Sequence, residues 1–184
     1  MAFRVDSGDA ILQQHLQNAP RNATYRSKTI QNEIIKTIGS FILSKISDEI
    51  KESKLFSVVA DEAADISNKE QLSLVLRFVD ARQQIREEFI GFFHCEAGTS
   101  GEALKEMILG AVADLGLSMS NCRGQSYDGA GNMAGKYNGV SSLIQGQFSK
   151  ALYVHCMNHR LNLCVADTCS LYLVKNMMSV VRSL

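Results

Sequence analysis

Proline occurs once in this chain, at Pro20, and tryptophan not at all. A single proline leaves no room for an extended proline-rich linker. Neither sign of charge is in excess, with Lys+Arg and Asp+Glu both at 19. No overall basic field therefore advertises nucleic acid, although a local patch stays open. No apolar run reaches the ~18 residues of a membrane-spanning helix. The opening MAFRVDSGDAILQQHLQ lacks the apolar core of a secretory leader. The five cysteines are an odd number in a chain without such a leader, and read as reduced thiols of an intracellular protein rather than as a disulfide framework.

What is present is ordinary globular composition: 46% apolar and 21% charged residues over 184 positions, enough for one domain with a sizeable core or for two small ones. Residues 1–26 are polar and weakly patterned, a loose lead-in with a short helix around Ile11–Leu16 and a break at Asn18–Asn22. Residues 27–54 read as a long amphipathic helix packing on the core. Its Ile30, Ile34, Ile38, Phe41, Ile42, Ile46 and Ile50 follow helical spacing, and Glu33, Lys36, Lys45, Asp48 and Lys51 oppose them.

The period then changes to that of strands. Phe56–Ala60 is a short apolar run suited to a strand buried on both faces. Gln71–Val79 alternates, with Leu72, Leu74, Leu76 and Phe78 on one side, and Ile85–Cys95 follows a turn at 82–84. A capping box, Thr99 to Glu102, opens a helix carrying Leu104, Met107, Ile108, Val112 and Leu115, and Gly116 stops it. Cys122–Tyr127 reads as extended, followed by Asp128, a glycine-rich turn and a helical pattern through Met133, Val140, Leu143, Ile144 and Phe148 that Asn138-Gly139 kinks. Ala151–His155 is a fifth strand, and Asn158–Leu184 is mostly helical by pattern.

The fold class is therefore α/β: an RNase H-like mixed sheet, three antiparallel strands and then αβαβ, preceded by a long amphipathic helix. In that layout the first strand is central and the fourth pairs with it in parallel, so Asp61 and Asp128 emerge side by side. Two carboxylates at one sheet edge suit Mg²⁺ or Mn²⁺, Asp61 as a bridging ligand and Asp128 as a ligand to one ion, in phosphodiester chemistry. The competing reading makes each a turn former or helix cap. Glu62 and Asp65 read as spare ligands or solvated loop acids, and Arg123, Lys136 and Arg160 as the cations nearest the acids. Cys156 and His159, three apart, share a helix face. Cys164 and Cys169 do not form the second C-x₂-C half of a zinc site, so no zinc is expected. A buried cysteine and a hydrogen-bonded histidine bracing the strand-to-helix corner is the plainer reading.

Three motifs in order carry a family resemblance. Phe56–Glu62 with Ile66–Ser73 resembles the first acidic motif of hAT-superfamily transposases, Gly124–Met133 the second, and His155–Leu163 that family's C-x₂-H motif. The wording is closest to the branch called DUF4371, found in vertebrate host proteins of the zinc-finger MYM type. The resemblance covers about residues 27–175. It implies an RNase H-like core whose metal triad has Asp61 and Asp128 as its first two acids. The third, a Glu in a late helix, has no counterpart, since no acid follows Asp167. An N-terminal zinc-finger module is likewise missing. The chain thus reads as a fragment, with residues 55–184 a partial RNase H-like domain lacking its C-terminal portion and not catalytically competent alone. The alternative is a co-opted, non-enzymatic interaction or DNA-associated regulatory module. DNA is the parent family's partner, protein partners or a homo-oligomer are expected, no membrane is, and the resemblance implies a nuclear location.

Overall fold

The computed structural model describes residues 2–20, 23–64, 66–67, 69–169 and 171–182. Asp65 lies outside the described residues, as do the side chains of Cys169 and Leu173. The chain forms two compact units, the first running to Leu43 and the second starting at Ser44.

The first unit is more helical than its polar composition suggests. Helix α2 (Ala10–Asn18) contains the short helix expected around Ile11–Leu16, and α1 (Ala2–Asp6) adds a second helix to the expected loose lead-in. Asp9 explains part of this: its carboxylate caps α2 by accepting from the Leu12 amide at 2.9 Å and pairs with Arg4 at 2.8 Å. His15 stacks on Tyr25, ring centroids 6.1 Å apart. Ser27 caps α3 (Lys28–Ser53), accepting from the Ile30 amide. Of the apolar stripe along α3, Ile46 and Ile50 are buried, whereas Ile34, Ile38, Phe41 and Ile42 are exposed.

The second unit is built on a five-stranded sheet in the order β3-β2-β1-β4-β5. Its strands are β1 (Phe56–Ala64), β2 (Glu70–Val79), β3 (Ile85–His94), β4 (Cys122–Tyr127) and β5 (Leu152–His155). β1, β2 and β3 pair antiparallel, and β4 joins β1 in parallel, as the α/β reading requires. Strand parity sorts the side chains. Val58, Ala60, Leu72, Leu74, Leu76, Gln125 and Tyr127 are buried on one face, together with Leu104, Ile108 and Val112 of α4 (Gly101–Asp114) and Val140 and Ile144 of α6 (Val140–Gln147). The opposite face carries exposed apolar residues, among them Phe89, Phe92 and Val154.

Two local expectations shift. The cap of α4 is Ser100, whose hydroxyl accepts from the Ala103 amide, and not Thr99; Glu102 instead holds Lys105 at 2.6 Å. The helix does stop at Gly116: its φ of +67° lets its amide reach Ala113 O and the Leu117 amide reach Val112 O, a Schellman close. The helix after Asp128 is broken rather than kinked, into α5 (Gly131–Ala134) and α6, with residues 135–139 as a turn between them. Helices α7 (Met157–Cys169) and α8 (Tyr172–Arg182) complete the chain, with Met177 and Val181 of α8 exposed. None of the described helices is long and apolar enough to cross a membrane.

Gln125 is the polar tie of this core. It is 1% exposed, and its amide donates to the Ser141 carbonyl at 3.0 Å and the Ala151 carbonyl at 2.9 Å, joining β4 to α6 and to the start of β5. Leucine removes both bonds, and with them a buried Oε1 that has no partner among the described residues. Gln125→Leu is expected to destabilise the fold by about 1–2 kcal/mol, read as a lower urea midpoint at unchanged slope.

Candidate functional site

The parallel pairing of β1 with β4 positions the acids. Its last registered partners are Val59 and Ser126. Asp61 and Asp128 each stand two residues further along, so the same register brings them level, on the sheet face opposite the core. Both line one cavity of about 310 Å³, with Ser73, Cys156, His159 and Asn162 also in its wall. Asp61 is exposed and Asp128 half-buried. The Ser73 hydroxyl donates to the Asp61 carbonyl at 3.0 Å and locks the end of β1 to β2.

Asp128 also does the local work of a turn former. Its Oδ1 accepts from the Ala130 amide at 3.0 Å, while the Tyr153 hydroxyl donates to its backbone carbonyl at 3.0 Å. The turn then passes close beneath β5: a Cβ added at Gly129 would lie 3.0 Å from His155 Cε1, and the imidazole would have to give way by a few tenths of an ångström.

Cys156 and His159 are brought to the same cavity as the acids. The Cys156 amide donates to the Tyr127 carbonyl at 2.8 Å, and its carbonyl accepts from the Arg160 amide, making it the start of α7. His159 stacks on His155, ring centroids 5.5 Å apart. Among the described residues no three His, Cys, Asp or Glu side chains are placed to share one metal ion. An ion at Asp61 and Asp128 would thus be completed by water or substrate oxygens, a mode that suits Mg²⁺.

None of Arg123, Lys136 and Arg160 lines that cavity. Arg123 stands at the opposite end of β4 from Asp128, its guanidinium donating to the Ser120 and Cys122 carbonyls. Lys136 lies over the Tyr137 ring at 5.3 Å, and Arg160 is exposed on α7.

Glu62 is the residue that sequence reasoning underrated. It belongs to β1 rather than to a loop, and it is half-buried. Its Oε1 accepts from the Asn132 amide at 2.7 Å, and the same amide donates to the Thr99 carbonyl at 3.0 Å. Strand parity held the signal: Glu62 continues the inward series Phe56, Val58, Ala60. Burial raises its carboxyl above the ordinary 4.5, the Asn132 bond opposes this, and the neighbouring charges of Asp128, Glu70 and Asp61 add to the rise. Buried in the core behind it, the Tyr127 hydroxyl has no partner among the described residues, and burial drives its pKa upward.

With the acids level on adjacent parallel strands, comparison with known proteins becomes informative. The model of the family described as ZMYM1/FAM200, RNase-like domain (DUF4371) matches residues 1–139. The chain belongs to this family. Over 165 residues, 90% of its length, it is also 32% identical to the human 52 kDa repressor of the inhibitor of the protein kinase. The mouse protein of the same name is 31% identical over the same span. The chain spans 22% of the length of either relative. In this DUF4371 domain the family match encloses both acidic motifs and stops before the Cys156–His159 motif.

The raised Glu62 carboxyl has a signed consequence. The native state holds this proton more tightly than the unfolded chain, so stability falls as pH rises from the unfolded value through the higher native one. Glu62→Gln keeps an acceptor for Asn132 and removes the titration. The variant should gain stability relative to the parent as pH climbs from about 4 to about 7, measured by thermal unfolding in matched buffers.

Proposed function

We propose that this DUF4371 domain is the RNase H-like core of a transposon-derived, hAT-type protein, and that Asp61 and Asp128 bind a divalent cation, Mg²⁺ or Mn²⁺. The observation that carries the reading is the level placement of the two carboxylates on neighbouring parallel strands, facing one cavity. Such an ion supplies Lewis-acid stabilisation of charge on a phosphate oxygen. The chain's own part is to orient the two carboxylates: Ser73 and Tyr153 fix their backbone, and Asn132 ties Glu62 to the loop before α4.

The unit described here acts as a binding module and not as a strand-transferring enzyme by itself. The relatives named as repressors favour a regulatory, DNA-associated role in the nucleus, exercised within a longer assembly. The competing reading is a metal-dependent phosphodiesterase, which the same acid pair would serve.

Four carboxylates crowd this end of the sheet, Asp61, Glu62, Glu70 and Asp128. Asp61→Asn and Asp128→Asn should therefore each raise the melting temperature of the metal-free protein slightly, by relieving like-charge repulsion. Mg²⁺ or Mn²⁺ at about 10 mM should raise the melting temperature of the parent chain and leave both variants unmoved. An equal shift in parent and variants, or none in any, overturns the metal reading. Mn²⁺-dependent nicking of supercoiled DNA that vanishes in Asp128→Asn would replace the binding module with the phosphodiesterase.

A further inference from the structure

The pairing of β1 with β4 ends at Val59 and Ser126, two residues short of both acids. Beyond it, one side chain ties the two segments together. Glu62, next to Asp61 on β1, accepts from the Asn132 amide at 2.7 Å, and that amide also donates to the Thr99 carbonyl at 3.0 Å. Asn132 lies in α5, which is tied back to Asp128 in its turn. The Asp128 Oδ1 accepts from the Ala130 amide at 3.0 Å, and the Ala130 carbonyl accepts from the Met133 amide at 3.1 Å. On the other side, Asp61 and Glu62 are paired with Ser73 and Leu72 of β2. The far side of α5 is backed as firmly. A Cβ added at Gly101, the first residue of α4, would lie 2.9 Å from the Asn132 carbonyl and run into that of Asn138. The start of α4 is thus pressed against both ends of the segment that holds Asn132.

We propose that Asn132 is a specificity-determining residue: by latching α5 to β1 it holds Asp61 and Asp128 at a fixed separation that favours Mg²⁺ or Mn²⁺ over the larger Ca²⁺. The inference rests on the cation reading of these two acids. Mg²⁺ takes oxygen ligands at about 2.0–2.1 Å in near-ideal octahedral geometry, whereas Ca²⁺ accepts about 2.3–2.6 Å and irregular geometry. A rigid pair of carboxylates can discriminate between them, and a loose pair adapts to either. Both amide hydrogens of Asn132 are committed, to Glu62 and Thr99, so the residue acts through the spacing of the acids and not as a ligand. The residue type suits the task. A carboxylate at 132 would repel Glu62, and an apolar side chain would leave that half-buried carboxylate without its donor. Groups that orient a metal's ligands without touching the ion are worth about 10–100-fold in affinity.

The test is the affinity of the full chain for Mn²⁺, read by electron paramagnetic resonance of the free ion, and for Ca²⁺, read by its displacement of Mn²⁺. Asn132→Ala should weaken Mn²⁺ binding about tenfold and Ca²⁺ binding about twofold, narrowing the ratio about fivefold. Two variants at 62 separate the latch from the charge. Glu62→Gln keeps an oxygen for Asn132, so it should weaken both ions alike and leave the ratio in place. Glu62→Ala loses the same charge and the oxygen with it, and should narrow the ratio as Asn132→Ala does. This comparison holds even where Asn132→Ala fails to fold. Without metal, the Ala130 amide that Asp128 holds should exchange its hydrogen about tenfold faster in Glu62→Ala than in Glu62→Gln. A ratio unchanged in both alanine variants, or equal Ala130 exchange in the two variants at 62, overturns the latch and leaves the cation site standing. A parent that binds neither ion removes the site, and this inference with it.

Discussion

The parallel register between β1 and β4 is the constraint from which the second unit follows. It is short, closed by four partner positions with a shift between Phe56 and Ser57. In a strand whose side chains alternate with period two, a slip of one residue exchanges core and outer faces. Such a slip would turn Gln125 and Tyr127 out of the core and drive Asp128 toward it. What forbids it is the burial of Val58, Ala60, Gln125 and Tyr127 on one face, all at 4% exposure or less. The acids owe their common side to apolar neighbours that never touch the cavity.

The same placement concentrates charge. Glu62 feels Asp61, Glu70 and Asp128 at once while half withdrawn from water, and a single amide, from Asn132, answers it. Crowded carboxylates of this kind cost stability in the free protein. The cation proposed at Asp61 and Asp128 would offset that cost. Arg123 cannot relieve the repulsion from the other end of β4, where it is held by backbone carbonyls.

Much of this was legible in the chain. The alternation of Leu72, Leu74, Leu76 and Phe78 and the run Phe56–Ala60 gave strands because burial on one or two faces writes itself directly into period and composition. The order of the elements, an antiparallel meander and then αβαβ, gave the pairing of β4 with β1. What stayed hidden depended on partners far apart in sequence. Nothing local to Asn132 announces that it bridges Glu62 and Thr99. The cap of α4 shifted from Thr99 to Ser100 because two adjacent hydroxyls satisfy the same pattern and only backbone geometry chooses between them. The stripe on α3 misled for another reason: a four-residue repeat resembles a helical face over two turns and departs from it over five.

The C-x₂-H motif shows how such hidden contacts give a meaning that composition cannot. Cysteine and histidine at that spacing invite a zinc reading, yet their neighbours assign them to the turn that carries Asp128. The Cys156 amide closes on the Tyr127 carbonyl, His155 lies over Gly129, His159 stacks on His155, and Tyr153 reaches the carbonyl of Asp128 itself. The contacts of Cys156 and Tyr153 fix backbone on either side of the aspartate, and the histidines pack over the turn that follows it. Gly129 leaves room for His155 beside it, so the small residues after Asp128 and the pair His155 and His159 form one device, split by more than twenty residues of chain. The direction of the Asp128 carboxylate is thereby set from β5 and α7 as much as from its own strand.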